Sequence, residues 1–162
     1  MLSPCAVYRY ALTRDWFPKD KGHVLFVMLN PSTADADVDD PTIRRCQSFA
    51  QRWSYDGITV VNLFALRSTH PEALLTVSDP VGEMNDDVIE SYATAAGIGM
   101  VVAAWGTHPA TKRRLRASHV TQRITKTGRD VHCLGTTATG APKHPLYIKA
   151  DQPPVVWRKG ES

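Results

Sequence analysis

Long apolar runs are missing from this chain of 162 residues. Val24 to Leu29 and Met100 to Trp105 are only strand-length, well short of the roughly 18 residues a membrane span needs, so no membrane partner is expected. Cysteine is scarce as well. Cys5, Cys46 and Cys133 are odd in number and form no C-x-x-C pair, which argues against a disulfide framework and a zinc site and leaves them to be read as buried thiols. The opening Met1-Leu2-Ser3-Pro4 carries no basic segment followed by an apolar one, so a secretory leader is not expected and the cytoplasm is the expected compartment. Also absent are the P-loop, the G-x-G-x-x-G turn, the G-x-S-x-G elbow and the H-E-x-x-H helix. These gaps take away the standard signatures of nucleotide triphosphatases, dinucleotide enzymes, serine hydrolases and zinc peptidases, and no cofactor is expected.

What is present reads as one ordinary folded domain over 1–162. Its hydrophobic content of 43% and charged content of 22% suit a single core. The net charge of +3 is modest, but the charges are segregated. Seven basic residues and no acidic one lie between Lys112 and Arg129, whereas Asp35, Asp37, Asp39 and Asp40 form an acidic knot.

Periodicity predicts alternating strands and helices. Residues 1–22 read as an N-terminal strand or hairpin. His23 to Leu29, Ile58 to Phe64, Met100 to Trp105 and Arg129 to Gly135 contain continuous apolar runs, the pattern of strands covered on both faces. Asp40-Pro41 followed by Ile43, Cys46, Phe49, Ala50 and Trp53 predicts a capped amphipathic helix. Shorter helices are expected over Glu72 to Val77 and Asn85 to Ala96, and a basic helix up to Lys126, closed at Gly128. The segment 150–162 reads as an irregular tail. The fold class is therefore α/β, with a central, mainly parallel sheet flanked by helices on both faces. Ligands of such sheets bind outside the carboxyl ends of the strands.

Several residues fall at that edge. Asn30, fixed by Pro31, offers both a donor and an acceptor, or else forms an Asx-type turn. Asn62 interrupts an apolar strand; a buried amide must be satisfied at a cost of about 1–3 kcal/mol if it is not, so it bonds backbone or awaits a ligand such as a nucleobase edge. The acidic knot invites a divalent metal, but it lacks calcium-loop spacing and reads rather as solvated loop charge with a helix cap at Asp40. His144, beside Pro145, is either surface decoration or a chemical group. Lys112, Arg113, Arg114 and Arg116 are either a solvated helix face or phosphate contacts.

Six motifs follow one another along the chain: Met28-Leu29-Asn30-Pro31-Ser32-Thr33-Ala34-Asp35, Asp40-Pro41-Thr42-Ile43-Arg44-Arg45-Cys46, Val61-Asn62-Leu63-Phe64-Ala65, Asp79-Pro80-Val81-Gly82 with Asn85-Asp86, Ala104-Trp105-Gly106 and His144-Pro145-Leu146-Tyr147. Their order closely resembles the bacterial and phage family known as domain of unknown function 1643. More distantly, the same landmarks resemble those of the uracil-DNA glycosylase superfamily. Asn30 matches its first motif, Asn62 its base-reading asparagine, Gly106 its third motif and His144 its late histidine. Met28 stands where that superfamily has glycine, and Leu146 where it has serine.

This likeness implies a three-layer glycosylase-like sandwich that binds a nucleobase, in DNA or in a small molecule, and hydrolyses its N-glycosidic bond. It implies His144 as donor to the departing base, Asn30 as the residue positioning water with Asp35 as its substitute, and Asn62, Phe64 and Arg67 around the base. The basic residues Lys112, Arg113, Arg114 and Arg116 would then meet the DNA backbone. Two other readings stand beside it: a non-catalytic nucleic-acid or nucleotide-binding module, and a metal-dependent hydrolase using Asp35 to Asp40.

Overall fold

In the computed structural model, residues 1–16, 20–32 and 38–162 are described. Strands β1 (Leu12–Asp15), β2 (His23–Met28), β3 (Gly57–Asn62), β4 (Ile98–Ala103), β5 (Val131–Cys133) and β6 (Val155–Arg158) form one sheet in the order β1-β3-β2-β4-β5-β6. The four central strands are parallel and both edge strands antiparallel. The sheet is thus mixed, with the parallel core that the four apolar runs predicted.

The alternation of side chains across each strand divides the core. Val24, Phe26, Met28, Ile58 and Val60 pack with Cys46, Phe49 and Ala50 of helix α1 (Pro41–Arg52). Leu25, Val27, Val61, Val101 and Ala103 face the other way, toward α2 (Ala73–Thr76), α3 (Asn85–Thr94) and α4 (Arg116–Lys126). Helices therefore cover both faces. Helix α1 starts where expected: the Asp40 carboxylate accepts the Ile43 N–H at 2.8 Å, and Pro41 takes the first helical position, where its missing N–H costs nothing.

Strand β2 is flanked by β3 on one side and β4 on the other, so the chain crosses over β2 between β3 and β4. A crevice opens at the carboxyl ends of strands where the order reverses in this way. The register aligns Met28 with Asn62, which places Asn62 at that edge on the α1 side.

Three expectations are corrected. The 150–162 segment is not wholly irregular, because β6 pairs with β5 and Trp157 packs edge-on against Trp105, ring centroids 5.6 Å apart. Cys5 is exposed, while Cys46 and Cys133 are buried. The basic segment is not one helix: a 3-10 stretch, Pro109–Leu115, ends in two left-handed residues, Arg114 and Leu115, before α4 begins. Two arginine anchors, Arg113 half-buried and Arg116 buried, account for the bend. Arg113 Nη1 donates to the carbonyls of Leu74 and Val77, and Arg116 Nε donates to that of Leu63 at 2.6 Å. As expected, the N-terminal segment holds a strand, the edge strand β1, and its described residues add isolated bridges at Leu2 with Arg9 and Tyr8 with Leu66. Among the described residues no helix is long and apolar enough to cross a membrane.

Candidate ligand-binding site

A cavity of about 830 Å³ lies at the carboxyl edge of the central strands, within the range of small-molecule and cofactor sites. Asn30, Asn62 and His144 all line it, although they stand far apart in the sequence. Strand topology brings them together: Asn62 ends β3, Asn30 follows β2 by two residues, and His144 lies beyond β5.

Asn62 is 4% exposed. Its backbone carbonyl accepts the Asn85 side-chain amide at 2.9 Å, and Asn85 also reaches Leu63 O at 3.2 Å. Arg116 donates to the same Leu63 carbonyl and pairs with Asp86 at 2.7 Å, a close ion pair rather than an aligned hydrogen bond. Burial raises the Asp86 pKa, but Arg116 and then His119 outweigh it and hold the carboxyl below its ordinary value. The end of β3 is therefore clamped from α3 and α4. In contrast, no described residue hydrogen-bonds the Asn62 side chain, whose amide opens on the cavity. A buried amide without protein partners is costly unless something else supplies them.

Asn30 is used differently. Its Nδ2 donates to the carbonyls of Ser68 at 2.9 Å, Pro31 at 3.1 Å and Leu66 at 3.4 Å. The amide nitrogen thus pins the loop after β3, and only Oδ1 is left to accept from a ligand or water.

His144 Nδ1 accepts the Leu146 N–H at 3.2 Å and so caps a 3-10 turn, Pro145–Tyr147. An accepting Nδ1 fixes the neutral proton on Nε2, turned away from the turn. Burial lowers the pKa of the imidazole from its ordinary value, with the negative charge of Asp40 working the other way. Arg45 of α1 holds this turn, donating to the carbonyls of Pro145 and Ile148. Gly106, whose φ of +76° favours glycine, lies near this turn: a Cβ there would sit at ordinary contact distance, 3.6 Å, from the Cβ of His144.

The other expected site residues lie elsewhere. Phe64 is 1% exposed within the core on the α3 and α4 side, because it follows β3 on the face opposite Asn62. Arg67 does not line the cavity; its Nη1 donates to Ala6 O at 3.0 Å. Arg113 and Arg116 are spent on internal carbonyls and on Asp86, whereas Lys112 and Arg114 remain exposed. Asp35 lies outside the described residues, as does Asp37.

Asp39 and Asp40 are engaged in the structure. Asp39 binds Arg14 at 2.9 Å and Gln47 at 2.6 Å, while Asp40 caps α1 and accepts from Ser32 Oγ at 3.2 Å. Among the described residues no three His, Cys, Asp or Glu side chains group as a metal site.

Arg9, His108 and Lys143 are among the cavity residues that escaped the sequence reading. Arg9, 6% exposed, looked like one polar position in an alternating strand. His108 precedes a proline as His144 does, but His70 does so too, so the His-Pro pair alone was a weak signal.

A family described as "Protein of unknown function (DUF1643)" matches residues 9–146, nearly the whole chain. Comparison with curated proteins gave no match, and comparison with solved structures gave none.

Proposed function

The chain belongs to the DUF1643 family of unknown function, and we propose that it is a glycosylase-like three-layer domain that binds a nucleobase in this cavity and hydrolyses its N-glycosidic bond. One observation carries the reading: the side-chain amide of a buried asparagine, with no hydrogen-bond partner among the described residues, lines the cavity where the strand order reverses. An amide offers one donor and one acceptor in a plane, which matches the edge of a nucleobase and not that of a simple anion or alkyl group.

The remaining groups fit the reaction. Breaking an N-glycosidic bond leaves negative charge on the base, and a preorganised donor facing that charge lowers the barrier. His144 supplies an N–H whose tautomer is fixed by the Leu146 cap. Asn30 Oδ1 can orient a water but cannot take its proton. Missing general-base help costs about 10²–10⁴-fold, so the reaction is slow or its leaving group is good. A second reading, a nucleotide-binding module without turnover, is favoured by the clamp on Asn30, which ties its amide nitrogen to three carbonyls.

Oligonucleotides carrying a panel of modified bases, incubated with the protein and then cleaved with alkali at abasic sites, test the reaction. Cleavage at one base type is expected, and His144→Ala should slow it by about 10²–10³-fold. No cleavage, together with binding of a nucleoside that Asn62→Ala abolishes, would leave the binding module. No cleavage and no nucleobase binding would overturn both readings.

A further inference from the structure

His108 and His144 are held alike. Each precedes a proline, each opens a 3-10 segment, and each Nδ1 accepts the N–H two residues on: Ala110 at 3.1 Å and Leu146 at 3.2 Å. In both rings the acceptor nitrogen is consumed by the chain itself, so the neutral imidazole carries its proton on Nε2. Neither Nε2 meets a described residue, and both histidines line the same cavity. They follow adjacent strands, since β4 pairs with β5. The intervening segments touch: Gly106 N–H donates to Pro142 O at 3.1 Å, and a Cβ added at Gly106 would come within 3.6 Å of the Cβ of His144.

We propose that His108 is a second donor of the site and that its Nε2–H and that of His144 together bind one oxyanion of the ligand. A pair of donor-only groups has no use for a ligand donor; it demands oxygen atoms that only accept, best when negatively charged. Arg9 and Lys143 also line this cavity, against Asp40 as the described carboxylate, whose oxygens already accept from Ile43 N–H and Ser32 Oγ. The amides of Asn62 and Asn30 follow β3 and β2, and the imidazoles follow β4 and β5. The imidazoles thus set a pair of N–H donors on the side of the edge that follows β4 and β5, beside the Thr107 and Thr137 hydroxyls, while the Asn62 amide, which both donates and accepts, stands on the other side. The oxyanion is either the oxygen of the base as it departs or the phosphate of a nucleotide. This assignment rests on the nucleobase reading.

His108→Asn separates the two jobs of the ring, because asparagine caps helical turns well but removes the outward Nε2–H. Calorimetric titration with nucleosides, nucleoside 5′-monophosphates and inorganic phosphate is the test. For every ligand the wild type binds through the oxyanion, His108→Asn should weaken affinity about tenfold or more, with an unchanged melting temperature. His144→Asn should do the same, and the double variant should lose less than the product of the two, as groups sharing one partner do. Binding of inorganic phosphate alone would identify the phosphate, and binding of nucleosides without it the base oxygen. Wild-type affinity in His108→Asn, or strictly multiplicative losses, would overturn the proposal while leaving the nucleobase reading intact. Failure of the wild type to bind any of the three would overturn both. Nitrogen-15 spectra of the imidazoles give a readout without ligand: both rings should be Nε2-protonated, and an Nδ1-protonated His108 would refute the pair.

Discussion

Asn30 and Asn62 are both asparagines at the carboxyl end of a core strand, yet they respond to mutation in opposite ways. Asn62 has no side-chain hydrogen bond within the described protein, so Asn62→Ala should leave the melting temperature unchanged or slightly higher while nucleobase affinity falls by about tenfold or more, checked by thermal denaturation and titration. Asn30→Asp should behave in reverse. From sequence alone a carboxylate there would be expected to preserve or raise hydrolysis, as a better base than an amide. The structure turns the Asn30 nitrogen onto three carbonyl oxygens, and an aspartate would set oxygen against oxygen. A loss of about 1–3 kcal/mol in denaturant unfolding is the expected outcome.

His144 adds a pH effect at the same scale. Its pKa in the folded protein lies below the ordinary 6.5 through burial, opposed by Asp40. The unfolded chain therefore takes up the proton first as pH falls. Stability from this residue is fully present above about 6.5 and is lost progressively below it. Protonation also converts Nδ1 from acceptor to donor and breaks the Leu146 cap. Thermal melts across this window should decline in the wild type and decline less in His144→Asn, which retains a cap but does not titrate.

At the scale of elements, the sequence disclosed those whose cause is local and obscured those whose cause is distant. The start of α1 was legible because Asp40-Pro41 is a cap followed by a compatible first residue. The four parallel strands were legible as short, mostly apolar runs. The break between the 3-10 segment and α4 was not, since no glycine or proline stands at Arg113 to Leu115 and the bend follows from carbonyls 36 to 53 positions away. Strand β6 was hidden for a similar reason: Pro153-Pro154 suggested irregularity, whereas pairing to β5 decides the outcome. The Asn85-Asp86 motif likewise shows its purpose only in three dimensions, as a clamp on β3 shared with Arg116. Arg116→Met, of similar reach but uncharged, should cost about 2 kcal/mol or more in denaturant unfolding by removing the buried partner of Asp86 and one of the two donors to the Leu63 carbonyl. Near-wild-type stability would refute the clamp.

Over the whole molecule, charge distribution along the chain proved a poor guide to charge available for a partner. Of the four basic residues assigned to phosphates, Arg113 and Arg116 serve the interior and Lys112 and Arg114 stay exposed. Should the protein bind DNA, this segment can contribute a salt dependence of no more than about 1.8 log units of affinity per log unit of salt, from two phosphates. A steeper contribution, abolished by neutralising Arg113 and Arg116 without unfolding, would contradict their structural assignment. The candidate site itself was partly legible. Asn30, Asn62 and His144 share a cavity as their strand-end positions implied. Phe64 does not, because one residue past β3 the chain turns it to the other face.

The central claim is that Asn62 waits in this cavity for a nucleobase. The most direct measurement is a calorimetric titration of wild type and Asn62→Ala with a panel of nucleosides and their 5′-monophosphates, at equal melting temperature. Saturable binding by the wild type, lost in a variant that is no less stable, is the predicted result. Equal binding by both proteins, or none by either, would contradict the account.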